Sequence, residues 1–433
     1  MLSESVFTHA GDASCPRRTC ARVSTSGFPG ANVDAITQTE QSTQSTSNTP
    51  STRHYDIISD EDDFRALQPE WDALWLKAHG YYYQSFNFCW LAWKHVTKPH
   101  GRGLKCIVCR EAGQLVMIWP LETVKRVLWT YLVPLGPEGG DYTSVLVEND
   151  AATAARVEGA WDTARRRCGA DFIHLPYVRN TLDLHRLVTQ ERHVLFAEAH
   201  NASAAKLRGQ GTWDEYCSSL GTLFGKRPGT FANRLSKEGE VAVRVMDSSE
   251  ESETAAIIEW MFNCKRSWSD RVGKRSVWLD SPEFERFLGK LIYSADVPSM
   301  ARLIVVTLDE ALVAGIIVSL GNPWASAIFA GYDPYFGKCC PGLIAVEQCV
   351  KWAFDNGYDL DFGVGIERFK SYWSRDEAST AWTVQIVNST WGLLAVRARR
   401  GARSVAERVK ALRHGSTPAP EADGGAAVRA GET

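Results

Sequence analysis

Apolar residues recur at helical spacing over residues 60–79, where Phe64, Leu67, Trp71, Leu74 and Trp75 share a face and Ser59 stands as a cap. A second, aromatic helix is predicted over 86–96. The pattern then changes to strands: 104–110 and 115–121 about a turn at 111–114, and 127–133. A Gly/Pro loop at 134–140 leads to a helix over 151–168 and a strand over 171–175. The second half repeats the order. A strand at 241–246 precedes helices at 251–268 and 282–294. A hairpin of 301–307 and 312–320 turns at 308–311, and a third strand covers 324–331. Helix 341–356 places Leu343, Val346, Val350 and Phe354 on one face, and strands follow at 358–362 and 382–388. Strand, two helices, three-stranded meander, helix, strand thus occurs twice, offset by roughly 200 residues. The expected fold is α/β with mixed sheets, built as two tandem lobes side by side.

Composition trims the ends. Residues 1–52 are rich in Ser, Thr, Gly and Asn, and 415–433 are small and polar, so both are expected to be disordered. The expected organisation is a 1–52 tail, a first lobe over 53–205, a second over 206–395, and a basic then disordered tail over 396–433. Net charge is −3 (48 Lys and Arg against 51 Asp and Glu), which argues against a chain-wide polyanion binder. No apolar run approaches the ~20 residues that span a bilayer, and residues 1–30 lack a secretory apolar core. Eleven irregularly spaced cysteines point to reduced thiols and a cytoplasmic setting. Cys106 and Cys109 have metal-ligand spacing, but within a strand they face opposite sides. From Asn201 to Ala395 there is no histidine. Chemistry confined to that half must use carboxylates, Tyr, Cys, Lys or backbone groups, and no metal site is expected.

Two passages carry candidate chemistry. After the third strand of the second half come Tyr332 and Asp333, then Gly337, Lys338, Cys339, Cys340, Pro341 and Gly342 at a helix start. A helix N-terminus with a lysine beside it suits a pyrophosphate. The other passage runs from Asp361 through Gly363, Gly365 and Glu367 to Lys370. Its glycines let the backbone pass close to a ligand at the end of a strand. Asp361-Phe362-Gly363 is not a kinase motif, because no His-Arg-Asp loop precedes it. Gly221 to Lys226 falls one residue short of a phosphate-binding P-loop, and Arg227 replaces its Ser or Thr. Lys226, Arg227, Arg234 and Lys237 form one basic cluster, and Lys265, Arg266, Arg271, Lys274 and Arg275 another. Each is read either as a solvated face or as phosphate recognition. The basic stretch from Arg397 to Arg413 is a candidate contact for an acidic membrane surface.

Together these passages resemble the GNAT acyltransferase superfamily, in particular CelD/BcsL-type bacterial acetyltransferases. The resemblance covers roughly residues 56–396 and rests on Trp213-Asp214-Glu215-Tyr216, Gly331-Tyr332-Asp333-Pro334, Pro341-Gly342-Leu343-Ile344 and the Asp361–Lys370 passage. In the first lobe it rests on Phe86, Trp90, Trp93, Trp119-Pro120-Leu121 and Asp141-Tyr142. It implies acetyl-CoA as donor, an amine-bearing small molecule or glycan precursor as acceptor, and a role in cellulose, exopolysaccharide or envelope synthesis. Gly337, Lys338, Pro341, Gly342, Gly363 and Gly365 would then bind the donor, and Lys226, Arg227 and Arg234 the substrate. The chain departs from the familiar Gln/Arg-x-x-Gly-x-Gly/Ala loop, with Cys339-Cys340-Pro341-Gly342 in its place. The base would be Asp333, Asp361 or Glu367, with Tyr332 donating to the leaving thiolate and Lys370 beside them. Fem-type aminoacyltransferases are also similar, through their Asp-Phe-Gly and Phe-Lys passage, and would imply aminoacyl-tRNA as donor. The acidic balance disfavours tRNA. A non-catalytic scaffold of the same fold is the third reading.

Overall fold

The computed structural model describes residues 53–137, 142–247, 251–273 and 277–398. The expected 1–52 tail and all but residues 396–398 of the expected 396–433 tail lie outside the described residues, as do Asp141, Lys274 and Arg275. The first half runs β1 (His54–Ile58), α1 (Glu61–Ala66), α2 (Gln68–Lys77), α3 (Phe86–Ala92), β2 (Gly103–Glu111), β3 (Gln114–Arg126), β4 (Trp129–Pro134), β5 (Leu146–Val147), α4 (Thr153–Arg167), β6 (Phe172–Arg179), α5 (Asp183–Thr189) and β7 (Val194–Ala205). The second runs α6 (Trp213–Ser219), α7 (Thr230–Leu235), β8 (Val241–Met246), α8 (Glu251–Val272), α9 (Pro282–Ile292), β9 (Ala301–Leu308), β10 (Ala311–Leu320), β11 (Trp324–Tyr332), α10 (Pro341–Asp355), β12 (Asp359–Val364), α11 (Arg368–Trp373) and β13 (Ala378–Val387).

Local chemistry explains where these elements depart from expectation. The helix expected over 60–79 is two helices, because Pro69 has no N–H to continue the ladder and the chain restarts at Leu67. Its cap is Asp60, not Ser59: the Asp60 carboxylate accepts from the Asp62 and Asp63 N–H groups at 2.8 and 3.2 Å. The second aromatic helix loosens after Ala92 into a π-helical turn, Trp93–Thr97. α5 and β7 were not expected from the pattern. Most of β7 is exposed or half-buried, so it carries little apolar signal.

The thirteen strands of the described residues form one sheet, in the order β1-β2-β3-β4-β6-β13-β7-β12-β11-β10-β9-β8, with β5 on β3. Two lobes side by side are therefore one continuous sheet, and its middle is exchanged. β13 lies between β6 and β7, antiparallel to both, and β7 in turn pairs with β12. The last strand of the second half thus completes the first half.

The alternating faces of the strands sort the helices. Cys106 and Val108 face α1–α3, α8 and α9, while Ile107 and Cys109 face α4 and α5. Cys106 and Cys109 therefore point into different cores, as their spacing predicted. On that second face the other half of the sheet is covered by α6, α7, α10 and α11. The core shared by α3 and α9 joins the halves; Phe88 and Phe287 meet edge to face at 5.3 Å, both fully buried.

Glu111 ties β2 to α4, accepting from Arg156 Nη2 at 2.8 Å and Nε at 3.0 Å. Those hydrogen bonds, with Arg53 behind them, hold the Glu111 carboxyl at about 2, against an ordinary 4.5. A depressed pKa stabilises the fold above the unfolded value, and the contribution is lost as pH falls through the folded one. Glu111→Gln is expected to flatten the decline in stability between about pH 4.5 and 2, read from denaturant midpoints across that range.

Candidate functional site

β11 and β12 run parallel, but they pair only at Trp324↔Asp359, Ala325↔Leu360 and Ser326↔Asp361. Beyond Ser326 and Asp361 the strands part, and a wedge opens between residues 327–332 and 362–364. Backbone groups along such a wedge need partners other than a neighbouring strand. α10 starts at its mouth. Tyr332 ends β11, and the Asp333 carboxylate accepts from the Tyr335 N–H at 2.8 Å, starting the 3₁₀ turn Pro334–Cys339. Cys340 adopts φ +52°, and Pro341 opens the helix.

Pro341 has no N–H, and those of Leu343 and Ile344 turn back to the Cys340 carbonyl at 2.9 and 3.4 Å. The helix start therefore offers an anion its dipole and the Gly342 N–H, fewer donors than a glycine-rich loop would. Gly337, Lys338 and Arg234 are exposed there, while Pro341 and Gly342 are buried. Burial raises the Cys340 thiol and Arg234 opposes that shift, which places Arg234 beside the helix start. Cys340 is thus a shielded thiol and not an activated one. Lys226 and Arg227 are exposed on the preceding turn, which is anchored through the Gly229 N–H to Glu347 at 2.7 Å.

The other flank of the wedge is a buried charge cluster. Asp361, at the end of the paired part of β12, is 1% exposed and forms an ion pair with Arg179 of β6. The Gly363 N–H donates to the same carboxylate at 2.6 Å and the Tyr142 hydroxyl at 3.2 Å. The Arg179 guanidinium lies over the rings of Tyr81 and Tyr142, 4.9 and 4.2 Å from their centroids. Burial, then the Asp361 charge, pushes the Tyr142 hydroxyl well up. Just past β12, fully buried Lys370 donates to the Val364 carbonyl at 2.5 Å and lies 3.1 Å from Glu367. Burial lowers the Lys370 ammonium, and Glu367 opposes it. Gly365 sits at φ +142°, and a Cβ there would fall 2.1 Å from a Glu367 oxygen, so only glycine lets this ion pair close.

A cavity of about 550 Å³ lies at the corresponding split in the first half, where β4 and β6 pair only at Tyr131↔Phe172 and Leu132↔Ile173. It draws on both halves: Trp119, Tyr131 and His174 from the first, and Trp278 and Phe284 from the second. Its inner wall includes Tyr142, the residue that touches Asp361.

Residues 230–371 match the acetyltransferase (GNAT) domain family. The matched span takes in the wedge, the start of α10 and the Asp361–Lys370 passage. FemX has a similar fold: TM-score 0.51, 13% identity, 76% of this chain and 98% of that one covered. A tandem GNAT protein from the clavulanic acid biosynthesis pathway covers 78% of the chain and 99% of its own, at TM-score 0.43 and 10% identity. The C-terminal domain of a putative lysylphosphatidylglycerol synthetase from Agrobacterium fabrum covers 77% and 96%, at TM-score 0.44 and 10% identity. No curated protein matches the chain. The domain match covers about a third of the chain, and the two-lobed mixed α/β architecture is the fold expected.

The structure brings Asp361, Gly363, Gly365, Glu367 and Lys370 into one cluster, and Tyr332, Asp333, Gly337, Lys338, Pro341 and Gly342 to the mouth of the same wedge. Lys226 and Arg227 stand apart on the surface. Sequence reasoning missed Arg179 and Tyr81, named Tyr142 only among the residues that carry the resemblance, and named Lys265 only within a basic cluster read as a solvated face or as phosphate recognition. The cavity shared by the two halves also carries His100 and His174, which lie outside the histidine-free half. Lys265 had a readable signal. It falls on the buried stripe of α8 with Thr254, Ile257, Ile258, Met261, Phe262 and Ser269, so it is no part of a solvated basic face. No group of His, Cys, Asp and Glu among the described residues is arranged to hold a metal ion.

Proposed function

We propose that the chain is an acyl-CoA-dependent N-acyltransferase, with acetyl-CoA as the expected donor and a small amine or glycan precursor as acceptor. The carrying observation is the wedge between β11 and β12, with a helix start at its mouth and a buried Glu367–Lys370 pair at its flank. The donor pyrophosphate rests on the Gly342 N–H and the α10 dipole, with Lys338 and Arg234 as counter-charges. The thioester arm lies along the open edge of β11, beside Gly363 and Gly365. The acceptor occupies the cavity shared by the two halves.

In the reaction the acceptor nitrogen attacks the thioester carbonyl carbon. The carbonyl oxygen takes negative charge, stabilised by a backbone N–H late in β11. The proton leaves the nitrogen for Glu367 through a water. The C–S bond then breaks, the amide forms, and the thiolate takes a proton from Tyr332, which regains one from solvent as Glu367 releases its own. Glu367 is a better base than Asp333, which caps the turn at the donor's phosphate end. Asp361 is fully buried against Arg179, which cannot release its proton, and against the Gly363 N–H, so its role is to hold the wedge, whereas Glu367 is paired with Lys370, whose ammonium burial makes readier to give its proton up. Glu367→Gln is expected to lower kcat by about 10²–10⁴-fold, with KM for acyl-CoA little changed. Asp333→Asn is expected to stay within a few-fold. Normal turnover in Glu367→Gln rejects this assignment.

A further inference from the structure

We propose that the Lys265 ammonium binds a carboxylate or phosphate carried by the acceptor, so that the acceptor is an amine with an acidic group close to its nitrogen. This rests on the acyl-transfer reading above and names the acceptor's class. Lys265 is 8% exposed. Among the described residues no oxygen accepts a hydrogen bond from it. Its Nζ instead lies 5.8 and 6.0 Å from the ring centroids of Trp268 and Phe329. Glu367 attracts this ammonium and Lys370 repels it, but Glu367 is already bonded to Lys370. In the same junction Arg179 is matched by Asp361. Lys265 and Lys370 therefore share the Glu367 carboxylate, while Arg179 and Asp361 neutralise each other.

A buried charge without a partner is unfavourable, and burial accordingly lowers Lys265 to about 8. An anion from a ligand would remove the imbalance. Position decides which substrate brings it. Lys265 lies over Phe329, whose ring meets Trp278 at 6.3 Å, and Trp278 lines the cavity. The start of α10 belongs to the core on the opposite face of the sheet. The anion therefore comes with the acceptor and not with the donor's pyrophosphate. The cavity lining includes Arg126, His100 and His174, while its Arg102 is already paired with the buried Glu122 at 2.6 Å.

The test uses the full chain and amine pairs that differ only in the acid: phenylalanine with phenethylamine, and glucosamine 6-phosphate with glucosamine. Binding is read by thermal stabilisation and turnover by CoA release from acyl-CoA. Wild type should bind at least one acidic member about tenfold or more tightly than its neutral twin. Lys265→Met should erase that preference, leave the neutral twin's binding unchanged, and show unliganded stability equal to or above wild type. Lys265→Arg should retain part of the preference, and it stands in if Lys265→Met fails to fold. Which pair responds distinguishes carboxylate from phosphate. Equal binding of both members by wild type, binding of neither acidic probe, or a preference that survives Lys265→Met overturns the proposal. Acid-selective binding lost in Lys265→Met, without CoA release from any acyl-CoA, would instead reject the acyl-transfer reading and leave the anion site standing.

Discussion

Arg179→Met is expected to destabilise the chain by about 3–5 kcal/mol, because it strands a buried carboxylate. Asp361 is 1% exposed, and without the guanidinium it keeps only the Tyr142 hydroxyl and the Gly363 N–H. The pair also spans the exchanged centre of the sheet. Arg179 belongs to β6 and Asp361 to β12, with β13 and β7 between them. Arg179→Met/Asp361→Leu, which removes both charges, is expected to recover most of that stability but not the activity, since the Gly363 turn loses its anchor. Denaturant unfolding of the two single variants and the double variant gives the coupling energy. A single Arg179→Met variant within about 1 kcal/mol of wild type would mean that the pair does not hold the junction.

Gly342→Glu is expected to abolish donor binding while the helix persists. A carboxylate in the first turn is favourable to the α10 dipole, so the helix itself is not opposed. The same carboxylate occupies the place where a pyrophosphate would accept from the Gly342 N–H, and repels it. Gly342 is buried, so its neighbours must shift to admit the longer side chain. Exposed Lys338 provides the control: Lys338→Glu should leave unliganded stability within about 0.5 kcal/mol of wild type and weaken acyl-CoA binding about tenfold. Retained affinity in both variants would remove the donor from the start of α10.

The two-lobed order was legible because the meanders and the helices after them are strongly apolar, as in β9, β10 and α10. The exchange of β7 and β13 was not. β7 is largely exposed outside its last few residues, and nothing in either strand's own pattern names its partner. The wedge residues Tyr332 to Gly342 and Asp361 to Lys370 were legible because glycines and a proline punctuate strand ends there. Arg179 and Tyr142 were not, because their roles arise from long-range pairing across 182 and 219 residues to Asp361. Lys265 was not separable from its cluster by charge: Arg266 and Arg271 are charged too, and only helical phase distinguishes a buried lysine from a solvated run.

The most direct test is thermal unfolding of the purified chain with acetyl-CoA, longer acyl-CoAs, free CoA and bulk tRNA, each at two salt concentrations. Acyl-CoA at about 100 times its dissociation constant should add roughly 2.7 kcal/mol to stability in wild type and nothing in Gly342→Glu. The contrary result is no response to any CoA compound together with stabilisation by tRNA that fades at high salt. That outcome would make the chain a tRNA-dependent transferase and assign the exposed Lys226, Arg227 and Arg234 to the nucleic acid.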